Sequence, residues 1–274
     1  MEIWHNPKNK FVVFQLHYTA DPLKRSKEFK ETIKGSMPRG QYMQEYELQW
    51  DSFSGMPVYP EFNRKHHCVK EAQPQIGLPL LRGWDFGMTP ACVVGQLEMG
   101  RLTILKEYVE FNMGIKRFAT MVLQDCALRW PEWADNKRDW KDFIDPAGNT
   151  RVDTDENTCA NVMAEMGMGP IPGAIAFEER KQSVEHFMLQ RDKQGPLLQV
   201  VETECQHLVR GFAGGYRYPE KASEIEQNKL KPLKDEHSHV QDALQMLASR
   251  IITMRRRGPS KPIPGPHYEW SHSK

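Results

Sequence analysis

Leu80-Leu81-Arg82-Gly83-Trp84-Asp85-Phe86-Gly87-Met88-Thr89-Pro90 is the stretch on which the fold turns. Leu80 to Phe86 reads as a strand, and Gly87 to Pro90 ends it. Asp85 is a carboxylate within a largely apolar run. Burying such a charge is costly unless it is paired or bound to a cation, so its presence asks for a reason. Downstream, Ala91 to Leu97 is a second strand, and Gly100 turns the chain into a third, Leu102 to Val109. The short gap around Gly100 makes the last two a hairpin.

Beyond this meander the period changes. Residues 114–128 form a helix with Phe118, Met121, Val122 and Cys126 on one face. Trp140 to Ile144 is a short strand that stops at Asp145-Pro146-Ala147-Gly148-Asn149. Helices over 157–166, 178–191 and 202–212 alternate with strands at Ala174–Phe177 and Leu197–Val201. Residues 214–235 are rich in turn formers, with room for a β-hairpin. His237 to Arg255 is a long helix with Val240, Ala243, Leu244, Leu247 and Ile251 as its apolar stripe. Three meandering strands followed by helical crossovers give a mixed α/β sheet with flanking helices. That order is the one used by ribonuclease H-like folds of the resolvase and integrase kind.

Upstream, Phe11 to Leu16 is a buried-strand pattern and Pro22 to Ser36 a helix. Residues 55–79 carry Gly55, Pro57, Pro60, Pro74, Gly77 and Pro79 and read as an inter-domain linker. The tail after Arg255-Arg256-Arg257 is basic and Pro-rich, which predicts a flexible end.

Composition narrows the function classes. The chain has 274 residues, 37 Lys plus Arg against 36 Asp plus Glu, and 39% hydrophobic residues. A core can form, so wholesale disorder is excluded. A net charge of +1 announces no nucleic acid globally, so any binding surface is local. No apolar run is long enough to span a membrane, and Met1 to Pro7 has no signal-peptide pattern. The five cysteines, Cys68, Cys92, Cys126, Cys159 and Cys205, form no C-x-x-C and suit a reducing compartment. His66-His67-Cys68 is a poor zinc site, because three adjacent residues do not easily converge on a tetrahedral ion.

Three aspartates stand where secondary structure places chemistry. Asp85 lies on the first strand of the sheet, Asp145 closes the fourth, and Asp242 sits in the last helix among core residues. α/β sheets place their sites at strand ends. Asp142, three residues before Asp145, is a less well-placed rival. His239 is one helical turn before Asp242, on the same face. Three such carboxylates can converge at one end of the sheet to hold two divalent cations about 3.5–4 Å apart. Hard oxygen ligands suit Mg²⁺ or Mn²⁺ over zinc. Each residue also has a plain reading: Asp145-Pro146 is good turn chemistry, Asp85 before Gly87 an Asx turn, Asp242 a solvated helix residue.

The segments Gly83 to Pro90, Phe143 to Asn149, and Lys231-Pro232-Leu233-Lys234 with His239-Val240-Gln241-Asp242-Ala243-Leu244-Gln245 resemble the nuclease domain of the large terminase subunit of tailed bacteriophages. The resemblance covers roughly residues 79–257. Residues 11–60 also look like the final part of the terminase ATPase domain. The implied organisation is an ATPase-domain remnant at 1–58, a linker at 59–78, a nuclease at 79–257 and a tail at 258–274. The resemblance implies a metal-dependent endonuclease that cuts concatemeric viral double-stranded DNA during packaging. It makes Asp85, Asp145 and Asp242 ligands to two Mg²⁺ or Mn²⁺ ions, with His239 beside them. It puts Arg217, Lys221, Lys229, Lys231 and Lys234 against DNA phosphates. It also implies the small terminase subunit and the portal protein as partners, the host cytoplasm as location, and no membrane association.

One departure matters. The nearest match to a phosphate-binding loop, Gly35-Ser36-Met37-Pro38-Arg39-Gly40-Gln41, lacks the Lys-Ser/Thr pair, so this chain is expected to have no ATPase site. Three other readings stay open on the residues alone. One is another ribonuclease H-like nuclease, resolvase- or transposase-like. Another is an actin-like or sugar-kinase-like ATP-binding fold, because Asp85-Phe86-Gly87-Met88-Thr89 echoes their phosphate loop. The third is a non-catalytic DNA-binding or assembly module.

Overall fold

The structure, a computed structural model, describes residues 2–5, 12–36, 42, 46–47, 56–134, 139–146, 158–219 and 231–257. The first segments hold a two-stranded antiparallel ladder, β1 (Glu2–His5) with β2 (Val12–Gln15), and the helix α1 (Lys27–Ser36). Pro22–Lys24 is a 3-10 turn capped by the Asp21 side chain, so α1 starts after the proline. After it come α2 (Arg64–His67), β3 (Cys68–Val69), β4 (Leu80–Asp85), β5 (Ala91–Glu98), β6 (Arg101–Val109) and α3 (Ile115–Arg129). These are followed by β7 (Trp140–Ile144), α4 (Cys159–Glu165), β8 (Pro170–Pro172) and α5 (Phe177–Leu189). A small ladder, β9 (Arg191–Asp192) with β10 (Gly195–Pro196), leads into β11 (Leu198–Val201), α6 (Gln206–Arg210) and the long α7 (Ser238–Arg257).

Seven strands form one mixed sheet in the order β3-β11-β6-β5-β4-β7-β8. The β4-β5-β6 meander is antiparallel, as its tight turns require. Parallel strands flank it on both sides, β7 and β8 beyond β4, β11 and β3 beyond β6. Helices cover both faces. Leu81, Phe143, Val184, Phe187, Ala243, Leu244 and Leu247 pack on one side, which carries α5, α6 and α7. Leu80, Trp84, Phe118, Val122, Ile144 and Met163 pack on the other, which carries α3 and α4.

Two further expectations need correction. Ala174–Phe177 is not a strand; the pairing segment is Pro170–Pro172. Its prolines read as breakers, yet β8 is an edge strand, where a residue without an N–H is tolerated. The helix expected over 202–212 begins only at Gln206 and widens into a π turn at Gly211–Gly215. Glu107 of β6 accepts the His207 and Leu208 N–H groups at 2.6 and 2.8 Å, which fixes that start.

The breaker-rich stretch packs on the domain. Val58 and Tyr59 are core residues, and Cys68–Val69 pairs in parallel with β11. His67 is buried, with its Nε2 against the Met188 carbonyl at 3.1 Å and its Nδ1 accepting the Asn63 N–H at 2.9 Å. Most of the glycine-spaced string at 35–41, residues 220–230 of the turn-rich segment and the tail after Arg257 lie outside the described residues.

Candidate active site

Strand parity builds the site. Side chains alternate across a sheet, so Leu81, Gly83 and Asp85 share one face while Leu80, Arg82 and Trp84 share the other. The first face meets α7. Gly83 makes that contact possible: a Cβ there would lie 2.2 Å from the Ala243 carbonyl oxygen and 2.9 Å from the Leu247 Cβ. Without a side chain, α7 settles directly on β4 and carries His239 and Asp242 to the strand end where Asp85 sits. On β7 the same parity applies. Phe143 packs in the α7-side core, and Asp145, one residue past the strand, follows it.

His239 Nδ1 lies 3.1 Å from Asp85 Oδ2. Asp242 is 2% exposed, and the Asp85 and Asp145 side chains are 13% and 33% exposed. The site therefore grades from core to solvent. Tyr216 O–H donates to Asp242 Oδ1 at 3.5 Å, and Lys234 Nζ donates to Asp242 Oδ2. Arg180 of α5 lies 3.9 Å from Asp145 Oδ2 through Nη1, and its charge also acts on Asp242. Burial pushes the Asp242 carboxyl above the usual aspartate range. Lys234 pulls it back down, and the Asp85 charge raises it further. Asp85 and Asp242 are thus close enough to repel.

The expected residues separate into groups. Asp85, Asp242 and His239 meet at one sheet edge, and Asp145 is linked to them through Arg180. Lys234 reaches into this cluster. Arg217 Nη1 instead donates to the Gly215 carbonyl at 2.7 Å and lies 3.4 Å from Asp235, while Lys231 is exposed. Lys221 and Lys229 lie outside the described residues. The rival Asp142 sits on the opposite face, 2.7 Å from Arg82 Nε and 2.8 Å from Trp84 Nε1. Sequence reasoning missed Arg180 and Tyr216. Neither has a motif around it, and only the packing of α5 and the π turn brings them in.

The donor set suits a hard divalent cation, since its carboxylates offer oxygen ligands and two of them repel each other. Among the described residues, no three His, Cys, Asp or Glu side chains stand together closely enough to hold an ion as they are placed. The chain's own cations, Lys234 on Asp242 and Arg180 on Asp145, occupy that role.

Comparison with solved structures identifies the architecture. The large terminase of a thermophilic bacteriophage superposes with a TM-score of 0.57 at 17% identity, covering 85% of this chain and 55% of that one. The nuclease domain of the P22 large terminase gives 0.53 at 13% identity, covering 72% of this chain and 92% of that domain. The fold is ribonuclease H-like, as in the terminase nucleases. This chain spans about half the length of the thermophilic phage's terminase. No protein-family model matches the sequence, and no curated protein matches it. The terminase nuclease domain of P22 is matched over nearly its whole length. Among the described residues, no helix is long and apolar enough to cross a membrane.

Proposed function

We propose that the chain is a metal-dependent DNA endonuclease that cuts concatemeric viral double-stranded DNA during genome packaging. The observation that carries this is the meeting of Asp85, His239 and Asp242 at one sheet edge, with Asp145 on the same face. Asp85, Asp145 and Asp242 would hold two Mg²⁺ or Mn²⁺ ions. Such ions, when bound, lower the pKa of a bound water and stabilise the departing 3′ oxygen of a phosphodiester. The protein's part is to fix the donors. β4 and β7 pair in parallel up to Trp84 and Ile144, one residue before Asp85 and Asp145, and α7, seated on Gly83, brings Asp242 near Asp85. His239, with one ring nitrogen on Asp85, orients that carboxylate and is within reach of a proton at the same edge.

Lys234 and Arg180 neutralise the carboxylates in the absence of other cations. Lys234 is the more exposed of these counter-charges, with its side chain 64% exposed against 14% for Arg180. With metal bound, Asp242 would no longer need Lys234, whose exposed amine would be placed to take a DNA phosphate. Lys221, Lys229, Lys231 and Arg217 belong to the same DNA-facing segment in this reading. Such contacts grip the backbone without reading sequence, which fits cleavage of a long duplex. The likeness to large terminases supports the packaging role, with the small terminase subunit and the portal as partners and an ATPase-domain remnant at 1–58.

The test is cleavage of linear and supercoiled duplex DNA with Mg²⁺, Mn²⁺ or EDTA. Cutting that needs the metal and vanishes in Asp242→Asn supports the reading. Cutting that persists in EDTA refutes it.

A further inference from the structure

Asp242 is the deepest of the three carboxylates, and one of its partners, Tyr216, belongs to a buried chain of hydrogen bonds. Gln245, one turn later on α7, is fully buried. Its Nε2 donates to the hydroxyl of Tyr59 at 3.0 Å and to that of Tyr216 at 3.3 Å. With both amide hydrogens spent on the two oxygens, the Tyr216 O–H is left to donate to Asp242 Oδ1 at 3.5 Å. Tyr59 and Tyr216 are 1% and 2% exposed, so water does not compete for these hydroxyls.

Tyr59 belongs to the segment through which the chain enters the nuclease fold, and that segment is bonded to the same elements a second time. Val58 N–H donates to the Tyr216 carbonyl at 3.0 Å, and Tyr218 N–H donates to Met56 O at 2.9 Å. Pro57 faces Arg217 as an antiparallel bridge. On the far side of Arg217, Leu233 N–H donates to its carbonyl at 2.9 Å, next to Lys234. Tyr59 also packs edge-on against Phe212, with ring centroids 5.3 Å apart. Tyr216 is thus bonded directly to the segment 56–59, and Lys234 follows Leu233, which bonds to the same ladder at Arg217.

We propose that Tyr59, Gln245 and Tyr216 are positioning residues that set the Asp242 carboxylate for metal, so that the incoming segment 56–59 controls the readiness of the site. The inference rests on the nuclease reading. It goes beyond that reading in giving residues before the sheet a role in the chemistry: displacement of segment 56–59 would loosen Tyr216 and Lys234 together and change metal occupancy without touching a carboxylate.

The test uses the full chain with Tyr216→Phe and Tyr59→Phe, each of which removes one hydroxyl and keeps the ring. Mn²⁺ affinity is measured by calorimetry and by the rise in melting temperature on adding Mn²⁺, beside kcat and KM for plasmid cleavage. Tyr216→Phe is expected to weaken Mn²⁺ binding roughly tenfold, in the range seen for hydrogen-bond partners of metal ligands, and to lower kcat with KM for DNA unchanged. Tyr59→Phe, which reaches Asp242 only through Gln245, is expected to do the same to a smaller extent. A drop in metal-free stability with wild-type Mn²⁺ affinity in both variants means the tyrosines only pack, and overturns the proposal. Should Tyr216→Phe fail to fold, Tyr59→Phe alone decides by the same criterion. If the wild type neither binds Mn²⁺ nor cuts DNA, the nuclease reading falls and this inference falls with it.

Discussion

Asp142 and Asp145 lie three residues apart, on and just past the same short strand, and face opposite sides of the sheet. Asp142 is 3% exposed and closed off. Arg82 donates to both its oxygens, at 2.7 and 3.0 Å, and Trp84 Nε1 adds a third bond at 2.8 Å. Arg82 in turn stacks over the Trp140 ring, 4.3 Å from its centroid. Asp145 is one-third exposed, and Arg180 Nη1 lies 3.9 Å from its Oδ2. Its facemates Asp85 and Asp242 repel each other, and the cation on Asp242 comes from a largely exposed lysine side chain. A carboxylate saturated by short, rigid donors has no capacity left for a ligand. Carboxylates crowded together, one of them countered by an exposed lysine, keep that capacity.

The contrast makes opposite demands on two substitutions. Asp242→Asn should cut metal-dependent cleavage by at least about a thousandfold. Its melting curve should stay close to wild type, because the exchange removes a charge that burial and Asp85 already disfavour. Asp142→Ala should behave the other way. It strands the buried Arg82 guanidinium, which costs about 3–5 kcal/mol, read by chemical denaturation, while the fraction that still folds cuts DNA. If Asp142→Ala folds normally but is inactive, the two aspartates have been assigned to the wrong roles.

Gly83→Ala probes the contact that joins the strand to the helix. Its methyl would strike the Ala243 carbonyl, so α7 must shift. Overpacking of this kind costs about 1–3 kcal/mol, and here the shift also moves Asp242 and His239 away from Asp85. Activity should therefore fall by more than the melting shift accounts for, measured as turnover per folded molecule. A smaller effect than loss of an aspartate belongs to His239→Ala, which leaves all three carboxylates in place. Its kcat and its Mn²⁺ affinity should each drop roughly tenfold, since one ring nitrogen orients Asp85.

Much of this was legible in the sequence because the period of the apolar residues carries the sheet. The meander from Leu80 to Val109 and the stripe of Val240, Ala243, Leu244 and Leu247 lie where the pattern puts them. Parity could also have separated Asp142 from Asp145, since an odd spacing puts them on opposite faces of one strand. What the pattern could not give is anything that depends on a partner far along the chain. Pro170–Pro172 pairs only because an edge beside β7 accepts prolines. Arg180 lies on a helix of ordinary amphipathic character, and its role comes from where α5 docks. Tyr59 sits in a proline-rich stretch that reads as a linker, and its ring is core because Phe212 and Gln245 meet it.

The measurement closest to the central claim is supercoiled-plasmid cleavage by the full chain with Mn²⁺, Mg²⁺ or EDTA, with Asp85→Ala run in parallel. The account predicts nicking and linearisation with either metal, none in EDTA, and none in the folded variant. Equal cutting by wild type and a correctly folded Asp85→Ala would contradict it.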